Sequence, residues 1–136
     1  MRAYQVNAGH PQLAKLDALT FPTDWRFSFD GNLCWLAEAD DGQVAGFATL
    51  ELFPGFAYLS RAGVLGKYRR QGIHKRLTEV RIKRARAEGK PRVVTYTADH
   101  NIASANGLIA RGFRLYKPPA YWGAPGDGYL YFERLT

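Results

Sequence analysis

Cysteine is almost missing from this chain: Cys34 is the only one in 136 residues. A single thiol excludes an internal disulfide, and neither it nor His10, His74 or His100 offers zinc-ligand spacing. No metal is therefore expected, and the thiol usage favours a reducing cytoplasm. Between Leu33 and Trp35-Leu36, Cys34 reads as an inert, buried strand residue. Long apolar runs are lacking too. None approaches the roughly 20 residues of a membrane span, and Met1-Arg2-Ala3-Tyr4-Gln5 has no apolar block of the signal-peptide kind. Repeats, low-complexity tracts and long linkers are absent. What remains is 46% hydrophobic, the composition of one globular domain spanning residues 1–136.

Acidic residues are scarce where basic ones crowd. The formal charge is +7, and 12 of the 19 Lys and Arg residues lie between Arg61 and Arg92, against only Glu79 and Glu88. Such a surplus calls for an anionic partner or a solvated face. The stretch from Arg81 to Arg86 reads as solvated helix surface. An oligomer contact, such as a homodimer, or a nucleic-acid patch are the alternatives, although no DNA- or RNA-binding motif accompanies it.

Periodicity and turn chemistry predict an α/β chain with a mixed sheet. Arg2 to Asn7 is a short strand. Leu13, Leu16 and Leu19 form a helical stripe. Phe21 to Phe29 is a short helix or a loop. Asp40-Asp41-Gly42 between Leu33–Glu38 and Gln43–Phe53 signals a hairpin, and Phe56 to Val64 is the next strand. Gly72 to Glu88 is the clearest helix, with Ile73, Leu77, Val80, Ile82 and Ala85 on its apolar face and Gly89 and Pro91 stopping it. A strand from Arg92 to Thr97, a helix from Ile102 to Ala110 and strands Phe113–Tyr116 and Tyr129–Leu135 follow.

Two segments carry chemistry. Val64-Leu65-Gly66-Lys67-Tyr68-Arg69-Arg70-Gln71-Gly72-Ile73-His74-Lys75 runs from a strand end through a basic, glycine-bearing loop into the long helix. N–H groups at a helix start lack intrahelical partners and carry the positive end of the dipole, which suits phosphate. The second segment, Asn101 to Phe113, follows a strand. Arg69 and Gly72 behind Val64, then Asn101, Ser104, Gly112 and Phe113, fit two spaced patterns. In this order they resemble the coenzyme-A-binding core of the GNAT superfamily of N-acetyltransferases, over roughly residues 44 to 116. Each pattern alone is weak; the pair at this separation is specific.

The resemblance implies a GNAT-like fold, a mixed and mostly antiparallel sheet flanked by helices. It also implies acetyl-CoA as acyl donor and an amine acceptor, small or macromolecular. Main-chain N–H groups of Arg69, Arg70, Gln71, Gly72, Ile73, His74 and Lys75 would hold the pyrophosphate. Asn101 would bond the pantetheine arm and Ser104 leave room for it. A main-chain N–H near Val64 or Leu65 would polarise the thioester carbonyl. Two residues depart from the pattern: His74 replaces a small residue, and Leu108 stands where relatives place a tyrosine acid. Tyr116 and Tyr96 are candidate replacements for that acid. Glu51, late in its strand, is the leading candidate base, and Asp99, at a strand end facing a ligand crevice, the second. Tyr121 and Trp122 are candidates for lining an acceptor pocket. The rival readings are a non-catalytic acyl-CoA binder, motivated by Leu108, and a nucleic-acid-associated protein, motivated by the charged helix.

Overall fold

The computed structural model describes residues 1–118 and 128–136. Among them, β1 (Arg2–Val6), α1 (Pro11–Thr20), β2 (Leu33–Glu38), β3 (Val44–Phe53) and β4 (Phe56–Val64) come first. A 3-10 turn, Gly66–Tyr68, precedes α2 (Ile73–Ala87). Then come β5 (Arg92–Ala98), α3 (Ile102–Ala110), β6 (Arg114–Leu115) and β7 (Tyr129–Leu135). The order matches the sequence expectation, apart from the added 3-10 turn.

Local chemistry sets the helix starts. α1 opens on Pro11, and His10 Nδ1 accepts from the Gln12 N–H at 3.2 Å. Leu13 and Leu16 face inward as expected, but Leu19 is 58% exposed and Asp17 takes the third buried position. Asn101 caps α3, its Oδ1 accepting from the Ser104 N–H at 3.1 Å. Residues 21–32 form no helix. Their polar groups are held by side chains instead: the Phe27 N–H donates to Asp17 Oδ2 at 3.2 Å, and Trp25 O accepts from Arg61 Nη2 at 3.4 Å.

One seven-stranded sheet runs in the order β1-β2-β3-β4-β5-β7-β6, and every adjacent pair is antiparallel except β4–β5. The strand period of two sends alternate side chains to opposite faces. Cys34, Leu36 and Phe47 pack under α1 with Leu13 and Leu16. Trp35, Leu50, Leu59, Val93 and Phe132 pack under α2 with Ile73 and Leu77. α1 lies close on β4: a Cβ at Gly63 would come within 2.5 Å of Thr20 Oγ1. Cys34 is fully buried, and burial pushes its thiol up to about 11, which fits the inert reading.

The sheet opens in its middle. β4 and β5 pair only at Ala57–Val93 and Tyr58–Val94, and Thr95 Oγ1 donates to Leu59 O at 3.0 Å just beyond. Past that point the strands part. β4 also carries a bulge: its register against β3 passes from Leu50–Leu59 to Ala48–Ala62, so Ser60 and Arg61 both stand opposite Thr49. Thr49 Oγ1 fills the irregularity, receiving the Arg61 N–H at 2.7 Å and sharing a 2.6 Å hydrogen bond with Ser60 Oγ.

Candidate active site

The parting of β4 and β5 makes a cleft of about 890 Å³ that runs from the α1 side, through the sheet, to the start of α2. At its mouth, Arg70 and Gly72 both take left-handed backbone conformations, with φ of 63° and 82°. Glycine adopts this freely and arginine does not, so the loop is held in shape by its surroundings. The Tyr68 hydroxyl donates to Asp41 Oδ2 at 2.7 Å and Arg69 Nε to Val64 O at 3.3 Å, which fix the turn before the loop. The N–H groups from Arg70 through Lys75 have no acceptor among the described residues; the first closed bond of the helix runs from the Arg76 N–H to Gly72 O at 3.0 Å. Free N–H groups at the positive end of a helix are the donor arrangement that suits an anion.

Basic side chains surround these groups. Arg69, Arg70, Lys75 and Arg111 line the cleft. Arg111 donates through Nη1 to Gly107 O at 2.8 Å, while its buried Nε has no partner. His74 keeps an exposed flank, but crowding by the cleft wall, then Arg81 and Arg111, hold its pKa well below the usual 6.5, at about 4. It is therefore a neutral ring near pH 7.

Backbone groups of β4 line the wall. The Leu65 N–H donates to Ala45 O at 2.8 Å. In an antiparallel ladder the groups of successive residues alternate direction, so the N–H groups of Val64 and Ala62 point away from β3, into the gap. The Arg69 bond to Val64 O agrees with that direction. The oxyanion donor expected near Val64 or Leu65 therefore cannot be Leu65, whose N–H belongs to the sheet. Ala62 and Val64 are the donors facing the gap.

The α1 side of the cleft is lined by Phe21, Asp24, Phe27 and Arg61. Arg61 stacks over Phe21, 3.9 Å from the ring centroid, donates through Nε to buried Asp17 Oδ1 at 2.9 Å, and pairs with Asp24 at 3.4 Å. Tyr58 and Tyr96 stack at 5.9 Å on the cleft wall. Burial, first of all, raises the Tyr58 pKa well above the usual phenol value, so it stays protonated.

Of the residues read from the sequence, Val64, Arg69, Arg70, Gly72, Ile73, His74, Lys75, Asn101 and Ser104 line this one cleft, and Leu108 faces it too. Leu65 and Gln71 stand beside it without lining it. Glu51, Asp99 and Tyr116 are not among the lining residues. Glu51 sits opposite Tyr58 in the ladder, and its charge is a minor contributor to the raised Tyr58 pKa, after burial and Tyr96. Asp99 is exposed beside His100, and Tyr116 lies under the Arg92 guanidinium at 5.8 Å. Tyr121 and Trp122 lie outside the described residues.

The basic run on α2 is solvated at Lys83 and Arg86 and half-exposed at Arg84, as its composition suggests; Arg81 alone departs from that reading. Arg81 is 2% exposed; its Nε donates to Leu77 O at 3.2 Å and its Nη1 to Thr49 O at 3.1 Å, with no carboxylate partner among the described residues. Burial lowers its pKa to about 9, which still leaves it charged at neutral pH. Arg84 bonds Gln5 and Glu88, and Arg86 bonds Thr136 O. Arg81 and Arg111 are the site cations that sequence reading missed. The available signal for Arg81 was spacing: Ile73, Leu77, Arg81 and Ala85 recur every four residues on the buried stripe.

A mixed sheet that splits between β4 and β5, with free backbone N–H groups along the split and at the start of α2, defines the class of fold. Comparison with known proteins gives that class its family. The chain belongs to the acetyltransferase (GNAT) family, whose model matches residues 3–113. Among curated proteins none matches its sequence. Solved structures share the fold. An IAA acetyltransferase from Bacillus cereus superposes with TM-score 0.81 at 15% identity, covering 99% of each chain. A GNAT family acetyltransferase from Elizabethkingia anophelis with acetyl-CoA bound gives 0.80 at 17% identity, covering 99% of this chain and 97% of that one. A Bacillus subtilis acetyltransferase in complex with CoA gives 0.78 at 17%, covering 99% and 98%. No helix among the described residues is long and apolar enough to cross a membrane.

Proposed function

We propose that residues 1–136 form one N-acyltransferase domain that moves an acetyl group from acetyl-CoA to an amine by direct attack. The observation that carries this reading is the row of acceptor-less N–H groups from Arg70 to Lys75 at the mouth of the β4–β5 gap. Unpaired donors at a helix start where cations gather suit an anion such as a diphosphate. Arg70, Lys75 and Arg111 add charge there. Asn101 Oδ1 is occupied by its cap, which leaves its Nδ2 for the pantetheine arm.

Bound acetyl-CoA supplies an activated thioester; the chain supplies its placement. The Ala62 N–H takes the thioester oxygen as it gains negative charge. The acceptor enters from the α1 side, past Phe21, Asp24 and Phe27. Its nitrogen lone pair forms the C–N bond, the C–S bond breaks, and the thiolate leaves. Leu108 offers no proton to that sulfur. A thiol of pKa near 8.5 leaves adequately as thiolate. Asp24 is the carboxylate lining the cleft among the described residues, and it is paired with Arg61. The amine therefore attacks in its neutral form and its proton passes to water in the cleft. The rate, kcat/KM, rises with pH until the amine is deprotonated.

The test is thiol release from acetyl-CoA across a panel of amines. Amine-dependent release supports the transferase. Tight acetyl-CoA binding without release for any amine supports the non-catalytic binder. The intramolecular engagement of Arg81, Arg84 and Arg86 weighs against a nucleic-acid role for α2.

A further inference from the structure

Among the described residues, Arg81 is a buried cation with no carboxylate bonded to it. Guanidinium groups in protein interiors are ordinarily neutralised by a carboxylate, because an unpaired buried charge costs several kcal/mol. Here two main-chain carbonyls take Nε and Nη1, and Nη2 has no partner among the described residues. Arg81 nevertheless lines the cleft.

Its position along the cleft is set by the fold. From Ile73, where α2 starts, to Arg81 is two turns of the helix, about 12 Å. Over the same distance β4 runs back about four residues from Val64, to the bulge at Ser60 and Arg61. The Arg81 bond to Thr49 O, opposite that bulge, agrees. Thr49 adjoins Ala48, which faces Ala62 in the ladder. Just beyond, the gap closes, where Thr95 Oγ1 meets Leu59 O and Tyr58 pairs with Val94. Arg81 thus stands at the blind end of the gap, past the Ala62 N–H and on the α2 side. The acceptor-side groups Phe21, Asp24 and Arg61 cluster at the α1 side.

We propose that Arg81 makes the cleft selective for acyl donors whose acyl chain ends in a carboxylate. The inference rests on the acyl-CoA reading above and refines its acyl group. With the thioester oxygen on the Ala62 N–H, a chain extending inward meets the guanidinium. A terminal carboxylate there receives a charge-assisted hydrogen bond and neutralises the buried cation, whereas an acetyl methyl leaves Nη2 bare. The bonds made and broken in transfer are unchanged: C–N forms, C–S breaks, and the added carboxylate takes no part.

The test is calorimetric titration of the full chain with CoA, acetyl-CoA and succinyl-CoA, with no acceptor present. Succinyl-CoA is expected to bind at least about tenfold more tightly than acetyl-CoA, the scale of one hydrogen bond to a buried charge. Arg81→Met should bring the two to parity, and Arg81→Lys should keep part of the preference. If Arg81→Met fails to fold, the wild-type ratio alone decides. Equal or weaker succinyl-CoA binding, with CoA and acetyl-CoA bound, overturns the inference and leaves the acyl-CoA reading standing. Binding of none of the three overturns that reading itself. A parallel arm compares turnover of an amino acid with that of its amide. An Arg81-dependent preference for the free acid, without donor selectivity, overturns the donor assignment and moves the carboxylate to the acceptor.

Discussion

His74, in the first turn of α2, keeps an exposed flank, while the crowding of its remaining surface, then Arg81 and Arg111, lower its pKa to about 4. The unfolded chain binds a proton near pH 6.5, whereas the folded chain waits until about pH 4. Between those values the unfolded state holds more protons, so stability falls as pH is lowered from about 6.5 toward 4. Thermal midpoints measured across that window should drop in the wild type and drop less in His74→Gln; parallel curves would place the titration elsewhere. Glu51 gives a second residue-scale expectation. It is outside the cleft lining, so Glu51→Gln should lower kcat/KM by less than about tenfold, short of the roughly 100-fold typical of a lost general base. A loss of that larger size, shrinking at high pH, would restore Glu51 as the base. The loop residues that line the cleft could be picked out in the sequence because their spacing is local. Arg81 could not, because a guanidinium among many on a charged helix looks solvated until the stripe through Ile73, Leu77 and Ala85 is followed.

Between residue and sheet, the element that shapes the site is the bulge of β4. Thr49 Oγ1 takes the Arg61 N–H, shares a proton with Ser60, and Ser60 in turn donates to Asn32 Oδ1 at 2.6 Å. The same bulge places Arg61 against buried Asp17, which also holds the Phe27 N–H and so ties residues 21–32 across the α1 side of the cleft. Thr49→Val keeps the volume but leaves the Arg61 N–H unpaired in the interior. It should cost about 1–3 kcal/mol by denaturant titration and lower kcat more than it weakens acetyl-CoA binding, because the register of Ala62 depends on the bulge. Unchanged stability would mean that the N–H finds another acceptor. Nothing in the sequence announced this element. The Asp41-Gly42 hairpin and α2 were readable from turn chemistry and period, whereas the bulge and the loop rest on side-chain bonds between distant parts of the chain. For the same reason the aromatic run Phe21–Phe29 left helix and loop open, and Asp17 hid on a leucine stripe.

At the scale of the whole molecule, one parallel pair in an otherwise antiparallel sheet creates the site. Because β5 turns from β4 to pair along its whole length with β7, a strand edge is left unpaired inside the fold, where an open edge is normally avoided. Strand order and the two motifs made the α/β architecture legible from the sequence. The α1 side of the cleft was not legible, because it is lined by a loop whose path is set by tertiary contacts. The central claim is that acetyl-CoA completes the split sheet, bonding the N–H groups of Ala62 and Val64 and of Arg70 through Lys75. Residue-resolved amide hydrogen exchange, with and without acetyl-CoA, tests it most directly. The account predicts fast exchange at these amides in the free chain and marked slowing on addition of acetyl-CoA, with Leu65, already bonded to Ala45, slow in both. Saturating acetyl-CoA that leaves these amides unprotected, or protects a different surface, would contradict it.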